Sequence, residues 1–224
     1  MVGEAARDEV ERVLDEVARF GPYFEIGTGG AEGPGWRPLP EAESGRLVEV
    51  VGEYGERLGT GERRVAASIF FQGLASRLWS PVVAAAARGV VPDLAGLRWR
   101  WARGEPIGLR LAEPRGRRVE GAPEAADLIH PMVVDGQLRP LREVLSSFVG
   151  LADGLVWGNA ASALAGSLNV GPGGSGREDI VRELLAREPL AGAGAFGAGG
   201  FVRSNCCLYY RVPGGGMCGD CGLR

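Results

Sequence analysis

The chain contains no lysine, a single histidine and, before position 206, no cysteine. Its positive charge is therefore all arginine, and 25 arginines against 28 acidic residues leave a formal net charge of -3. That balance leaves no electrostatic footprint for nucleic acid, so a polynucleotide is not the expected partner. The glycine-rich run at residues 171–176 lacks the lysine and hydroxyl residue that a phosphate loop requires, and reads as a turn. No glycine run follows a strand-like segment as a dinucleotide site would. No apolar run approaches a bilayer-spanning length, and the first residues are charged where the apolar heart of a secretory leader would lie. The expectation is a soluble, cytoplasmic protein in a reducing compartment, where thiols stay free.

What is present is gathered near the C-terminus. Cys206, Cys207, Cys218 and Cys221 form a C-C-x10-C-x2-C pattern, interrupted by Pro213 and by Gly214, Gly215 and Gly216. Thiolates that converge on a metal need a pliable backbone, which these glycines supply. Cys218 and Cys221 chelate naturally, because a two-residue spacer turns both sulfurs to one side. Adjacent residues in extended backbone point to opposite faces, so Cys206 and Cys207 suit two metal atoms better than one. A [2Fe-2S] cluster takes four thiolates, two per iron, whereas structural zinc usually draws on two spaced pairs. On spacing alone three other readings stay open: a zinc-binding structural or adaptor protein, a thiol switch built on Cys218-Gly219-Asp220-Cys221, and disulfide staples. The switch should open a long helix, and staples should spread along the chain.

The remainder reads as a scaffold. Apolar residues at helical spacing predict helices over residues 5–20, 41–58, 60–79, 138–149, 155–168 and 178–187, with a short alanine-rich helix restarting at Ser80-Pro81 and ending near Gly89. Residues 97–101 and 107–111 alternate with period two and predict an antiparallel hairpin whose tryptophans point inward. Residues 23–26 suggest a short strand, 115–118 a charged turn and 191–200 a pliable connector. His130 reads as structural or as an exposed strand residue. The fold class is α+β: a mainly helical scaffold over residues 1–200, a small antiparallel sheet, and an irregular metal-binding segment over residues 201–224.

Arg100, beside Trp99 and Trp101, is a candidate contact for an anionic or hydroxamate-bearing ligand on the hairpin's outer face. Asn159, early in its helix, either ties that helix to a loop or touches substrate, and neighbouring Trp157 is a further substrate candidate. Around the cysteines, Arg203, Arg211 and Arg224 supply positive charge, and Gly216 and Gly219 supply backbone N–H groups that can donate to sulfur. Tyr209 and Tyr210 are expected to alternate across a strand-like exit, one of them, with Tyr210 as the candidate, covering the metal centre.

Three stretches in order carry a resemblance. Ser76-Arg77-Leu78-Trp79-Ser80-Pro81-Val82, then Trp157-Gly158-Asn159-Ala160-Ala161-Ser162-Ala163-Leu164-Ala165-Gly166, then the cysteine tail are similar to segments of the FhuF-like ferric-siderophore reductases. The resemblance implies an oxidoreductase with a [2Fe-2S] cluster that passes one electron to siderophore-bound Fe(III) and releases Fe(II) for cellular use. It implies a ferric siderophore of hydroxamate type and an electron-donating protein or small reductant as partners. An electron carrier with the same cluster is the alternative redox role.

Overall fold

The computed structural model describes residues 3–30, 33–171 and 174–223. The fold is α+β, with most of its ordered backbone in helices. At its centre lies α3 (Arg63–Ala86), whose residues from Arg77 to Ala86 are all buried. A helix buried on all sides needs partners all round. α2 (Ser44–Leu58) offers Leu47, Val50, Val51 and Tyr54 from one face, and α1 (Arg7–Ala18) offers Val10, Val13, Leu14 and Val17. Gly59 stops α2 as its spacing predicts, in the left-handed conformation at φ 68°. α6 (Asp153–Gly166) lies along α3, its alanines, glycines and serine allowing close approach of the two backbones.

The break expected at Ser80-Pro81 does not occur, and α3 runs straight through Pro81. A proline inside a helix forfeits one backbone bond and costs about 3 kcal/mol. Trp79, Val82 and Val83 are fully buried on the same turns, and their packing outweighs that loss.

The expected hairpin forms from β5 (Arg98–Arg100) and β6 (Gly108–Leu111), which pair antiparallel with Trp99 opposite Leu109. It is the middle of a four-stranded sheet completed by β2 (Gly27–Thr28) and β3 (Arg37–Pro38), in the order β2-β6-β5-β3. Trp99 and Trp101 are buried while Arg98 and Arg100 are half-exposed. The strand expected at residues 23–26 is instead a 3-10 turn, Pro22–Phe24, followed by β2.

Two expectations fail for a common reason. Residues 116–118 are not a turn but β7 (Gly116–Arg118), held between β1 (Glu4–Ala5) and β4 (Val90–Pro92). At Gly116 a Cβ would lie 2.8 Å from the Val91 carbonyl oxygen, so only glycine lets β7 sit this close. Residues 191–200 are not a loose connector, because β8 (Gly194–Gly197) and β9 (Gly200–Arg203) form a hairpin with Phe196 against Phe201. Both strand sets are too short and too rich in glycine to show a period.

α4 (Ala122–His130) continues through a π-helical stretch, Pro131–Leu138, into α5 (Arg139–Ser146). His130 is thus helical, with Nε2 2.8 Å from the Glu188 carbonyl oxygen. α7 (Ser175–Leu185) begins inside the 171–176 run, so the run's last two residues are helical and not a turn; residues 172 and 173 lie outside the described residues.

Glu41 ties the start of α2 to the sheet. Its side chain is 3% exposed, accepts from Arg37 Nε at 2.5 Å and receives the Glu43 N–H at 3.0 Å. Burial works to raise its pKa, but the Arg37 hydrogen bond and charge, with the Glu43 N–H, win and hold it below the ordinary value of 4.5. A depressed folded pKa contributes stability that is present above the unfolded value and lost as pH falls through the folded one. Glu41→Gln is expected to cost about 1–3 kcal/mol at pH 7, read by urea denaturation, and to flatten the loss of stability below pH 4.5. An unchanged acid limb in the variant would show that this carboxylate is not what couples the fold to pH.

Candidate metal centre

β9 delivers the chain to the cysteines. Its last residue, Arg203, is 1% exposed, and its backbone N–H donates to the Asp220 carbonyl at 3.1 Å, so the two ends of the segment are pinned together at the start. Asn205 then lies against α6 where Gly154 and Gly158 leave room; a Cβ on either would come within 2.8 and 3.3 Å of its side chain. Cys207 is buried and its carbonyl accepts the Ser68 hydroxyl of α3 at 2.7 Å. Leu208 takes a left-handed conformation, φ 69°, which aims its N–H at Cys206 Sγ, 3.3 Å away.

The chain next makes a 3-10 turn, Tyr209–Arg211, and a tight bend in which Gly215 N–H donates to the Val212 carbonyl at 2.8 Å. A Cβ at Gly215 would strike the Tyr209 carbonyl at 2.7 Å, which fixes glycine there. The Cys221 N–H donates to the Cys218 carbonyl at 3.2 Å, closing the two-residue spacer into a turn.

These constraints bring Cys207 Sγ and Cys218 Sγ to 3.6 Å. A disulfide would put them at about 2.05 Å. Two sulfurs bound to one tetrahedral metal, each about 2.3 Å from it, lie about 3.8 Å apart. The pair is therefore no disulfide but an S–H···S contact, at a separation that two thiolates of one metal atom also take. Among the described residues no three His, Cys, Asp or Glu side chains are arranged to hold a single ion. Burial first, and the Cys207 thiol second, push the Cys218 pKa up to about 12, so in the metal-free chain the Cys218 thiol is neutral, and metal binding must expel its proton.

Beneath the cysteines lies a closed polar network. Arg203 donates from Nη1 to Asn159 Oδ1 at 2.7 Å, from Nη2 to the Ser162 hydroxyl, and to the Asp220 carboxylate at 3.0–3.1 Å. Asn159 in turn donates to the Ser68 carbonyl at 3.0 Å and hydroxyl at 2.8 Å, and Gln72 Nε2 donates to Ser162 at 3.1 Å. Burial works to raise the Asp220 pKa, but the Ser162 hydroxyl and the Arg203 charge hold it below the usual carboxylate value. A guanidinium with three oxygen partners on two elements is a rivet between α6 and the cysteine loop.

The expected neighbours of the cysteines are distributed as follows. Arg203 and Gly219 are at the site. Arg211 pairs at 3.1 Å with Glu62, ahead of α3. Tyr209 and Tyr210 sit on a turn, not a strand, and Tyr210 is 51% exposed, so the alternation expected of them does not hold. Gly216 is exposed beside Met217, and Arg224 lies outside the described residues. Asn159 is fully buried with both ends of its amide occupied, so it ties helix to loop and presents nothing to a substrate. Trp157 is nearly buried under the Arg139 guanidinium, 5.4 Å from its ring. Arg100 stays on β5, paired with Glu105 and stacked 5.4 Å from Trp36. Ser68, Gln72, Ser162 and Asp220 were not foreseen. The spacing Gly154, Gly158, Ser162 down one face of α6 was the available signal.

Arg203→Ala is expected to cost about 3–5 kcal/mol, because it strands the Asp220 carboxylate and the Asn159 carbonyl. Arg203→Lys should recover little, since one ammonium cannot reach all three partners at once. Urea denaturation of metal-free protein measures both, and near-wild-type stability of either variant would show the network to be incidental.

Residues 203–222 match the family described as FhuF 2Fe-2S C-terminal domain. No curated protein matches the chain. The matched segment begins at the riveting Arg203 and contains all four cysteines. The C-terminal segment is thus FhuF-like, a 2Fe-2S domain whose cofactor is a [2Fe-2S] cluster.

Proposed function

We propose that the protein is a ferric-siderophore reductase acting in the cytoplasm, with Cys206, Cys207, Cys218 and Cys221 holding the cluster irons. The observation that carries this reading is the 3.6 Å approach of Cys207 and Cys218 within the matched segment, where the four cysteines would hold the cluster. When bound, the [2Fe-2S] cluster supplies one electron at a time, the number that takes Fe(III) to Fe(II).

The chain's own residues set the conditions. Cys207 and Cys221 are buried and keep water from one side, whereas Cys206 and Cys218 are half-exposed and give that electron an outward exit. The Leu208 N–H donates to Cys206 Sγ and steadies its charge as a thiolate. Arg203 and Asn159 hold the loop against α6, so the sulfur positions do not depend on the loop's own stiffness. Hydroxamate oxygens are hard ligands that suit Fe(III) and hold Fe(II) more weakly, so reduction itself loosens the chelate. No side-chain acid or base is required. The electron reaches the site from a donor protein or small reductant.

Anaerobically prepared protein is expected to be red-brown, to contain about two iron and two acid-labile sulfide per chain, to bleach with dithionite, and then to release Fe(II) from a ferric trihydroxamate to a ferrous-specific chelator. Cys207→Ser should lower cluster content and Fe(II) release about tenfold or more. Colourless protein with stoichiometric zinc would establish the structural alternative. A coloured, bleachable protein that releases no Fe(II) would be an electron carrier.

A further inference from the structure

Arg77, on the central helix α3, is 3% exposed and so holds a charge out of water. Two carbonyls meet one edge of its guanidinium, Nε donating to Ile107 at 2.6 Å and Nη2 to Glu25 at 2.7 Å. These bonds fasten the loop of the β5–β6 hairpin and the residue after the first 3-10 turn to α3. Nη1 has no hydrogen-bond partner, and among the described residues no carboxylate lies within 4 Å of the group. Burial pushes its pKa down to about 10, against the pull of Glu25 and Tyr23, so it stays cationic at pH 7. Carbonyl dipoles satisfy part of such a group, but a buried charge without a counter-charge remains costly.

The guanidinium forms part of the wall of a cavity of about 210 Å³. That is smaller than the sites that take drug-sized molecules, and it leaves room for a small ion with some of its water. A second cation shares the wall: Arg57 is exposed, stacks 4.4 Å from the Tyr54 ring and 5.5 Å from that of Trp101, and makes no ion pair among the described residues. Tyr54 is buried and lines the same cavity. Burial raises its pKa above the ordinary value of 10, so its hydroxyl keeps its proton and can donate. Gly73, one turn before Arg77 on α3, leaves that hydroxyl its space, since a Cβ there would lie 3.3 Å from it. The carboxylate on the wall, Glu105, is already matched by Arg100 at 3.1 Å.

We propose that this cavity binds a small doubly charged oxyanion of the phosphate class, with Arg57 and the Tyr54 hydroxyl as its direct donors and Arg77 as the charge behind it. Guanidinium groups present fixed forks of N–H donors that match the oxygens of such ions. Arg77 acts through the wall, where a low dielectric lets its charge reach further than it would in water. The ion supplies the counter-charge that the chain does not, at the point where α3, the hairpin loop and the 3-10 turn are joined. None of these residues belongs to the cysteine segment, and the proposal does not rest on the reductase reading.

Inorganic phosphate is the probe, titrated calorimetrically into the full chain in phosphate-free buffer, with sodium chloride holding the ionic strength constant. One site per chain is expected, and with it a rise in melting temperature that grows as the site fills. Arg57→Gln is expected to weaken phosphate binding about tenfold and Tyr54→Phe about threefold, as loss of a charged and of a neutral hydrogen bond do. Because Arg57 is exposed, its variant should melt close to wild type in chloride alone. Arg77 is left in place, since replacing it would also cut the hairpin loop and the 3-10 turn from α3. Acetate, with one charge, should bind about tenfold more weakly than phosphate where two cations face the ligand.

Phosphate that raises the melting temperature no more than chloride does would overturn the proposal. Binding that both variants leave unchanged would mark an adventitious ion only. Equal affinity for acetate would overturn the charge class. Glu25→Gln tests the internal competitor and should tighten phosphate about twofold by removing a nearby negative charge. If that variant instead loses as much stability as phosphate gives to wild type, the chain's own carboxylate fills the role and the proposal fails.

Discussion

The site depends on one buried cation. Arg203 sits at the end of a short glycine-rich strand, where intrinsic preference offers little to hold it, yet it is almost completely withdrawn from water. A lone guanidinium there would be ruinous, and only its full set of partners makes the position tolerable. Asn159 and Ser162 come from α6 and Asp220 from the cysteine loop, so satisfying the charge and docking the loop are one event. An ion pair so placed is a weak argument for net stability, because apolar replacements of similar shape often do as well. Its value here is uniqueness: few other placements of the tail would satisfy all the donors.

The same requirement explains the composition of α6. Asn205 presses onto Gly154 and Gly158, Ser162 meets the guanidinium, and Asn159 reaches across to Ser68 on α3. Larger side chains at the glycines would lift the loop off the helix and open the network to water. The central pair of helices thus serves as an anvil. α3 is buried on all sides through its second half and can carry Pro81 there, while α6 presents small residues to both α3 and the tail.

How far the sequence disclosed this follows from where period and propensity speak. The helices were legible because Val10, Val13, Leu14 and Val17, or Leu47, Val50, Val51 and Tyr54, recur at helical spacing. The β5–β6 hairpin was legible because tryptophan and arginine alternate. β7 and the β8–β9 hairpin were not, since strands of three or four residues rich in glycine carry no alternation, and their pairing is decided by distant partners. At the site, the four cysteines announce themselves by type, whereas their support does not. Serines such as Ser68 and Ser162 are common, and nothing local distinguishes the one that meets a buried asparagine about ninety residues away or the one that meets a buried arginine about forty residues away. Asn159 illustrates the limit: its burial demanded partners, but the choice between a loop and a substrate needed the fold.

The arginines near the sulfurs bear on their electrostatics differently from what charge counting suggests. Counted along the chain, Arg203 and Arg211 surround the cysteines with positive charge. In the fold each is already matched, Arg203 by Asp220 and Arg211 by Glu62, so neither offers the sulfurs a net unit charge. What remains is made of dipoles. The Leu208 N–H points at Cys206 Sγ, and Gly219, next to Cys218, leaves its backbone free of a side chain that would shield it. Fixed dipoles at short range act on the nearest sulfur and fade quickly, whereas a bare guanidinium would act on every charge around it. A tail that steadies its sulfurs with N–H groups and neutralises Arg203 and Arg211 internally can therefore hold its thiolates without a bare guanidinium beside them.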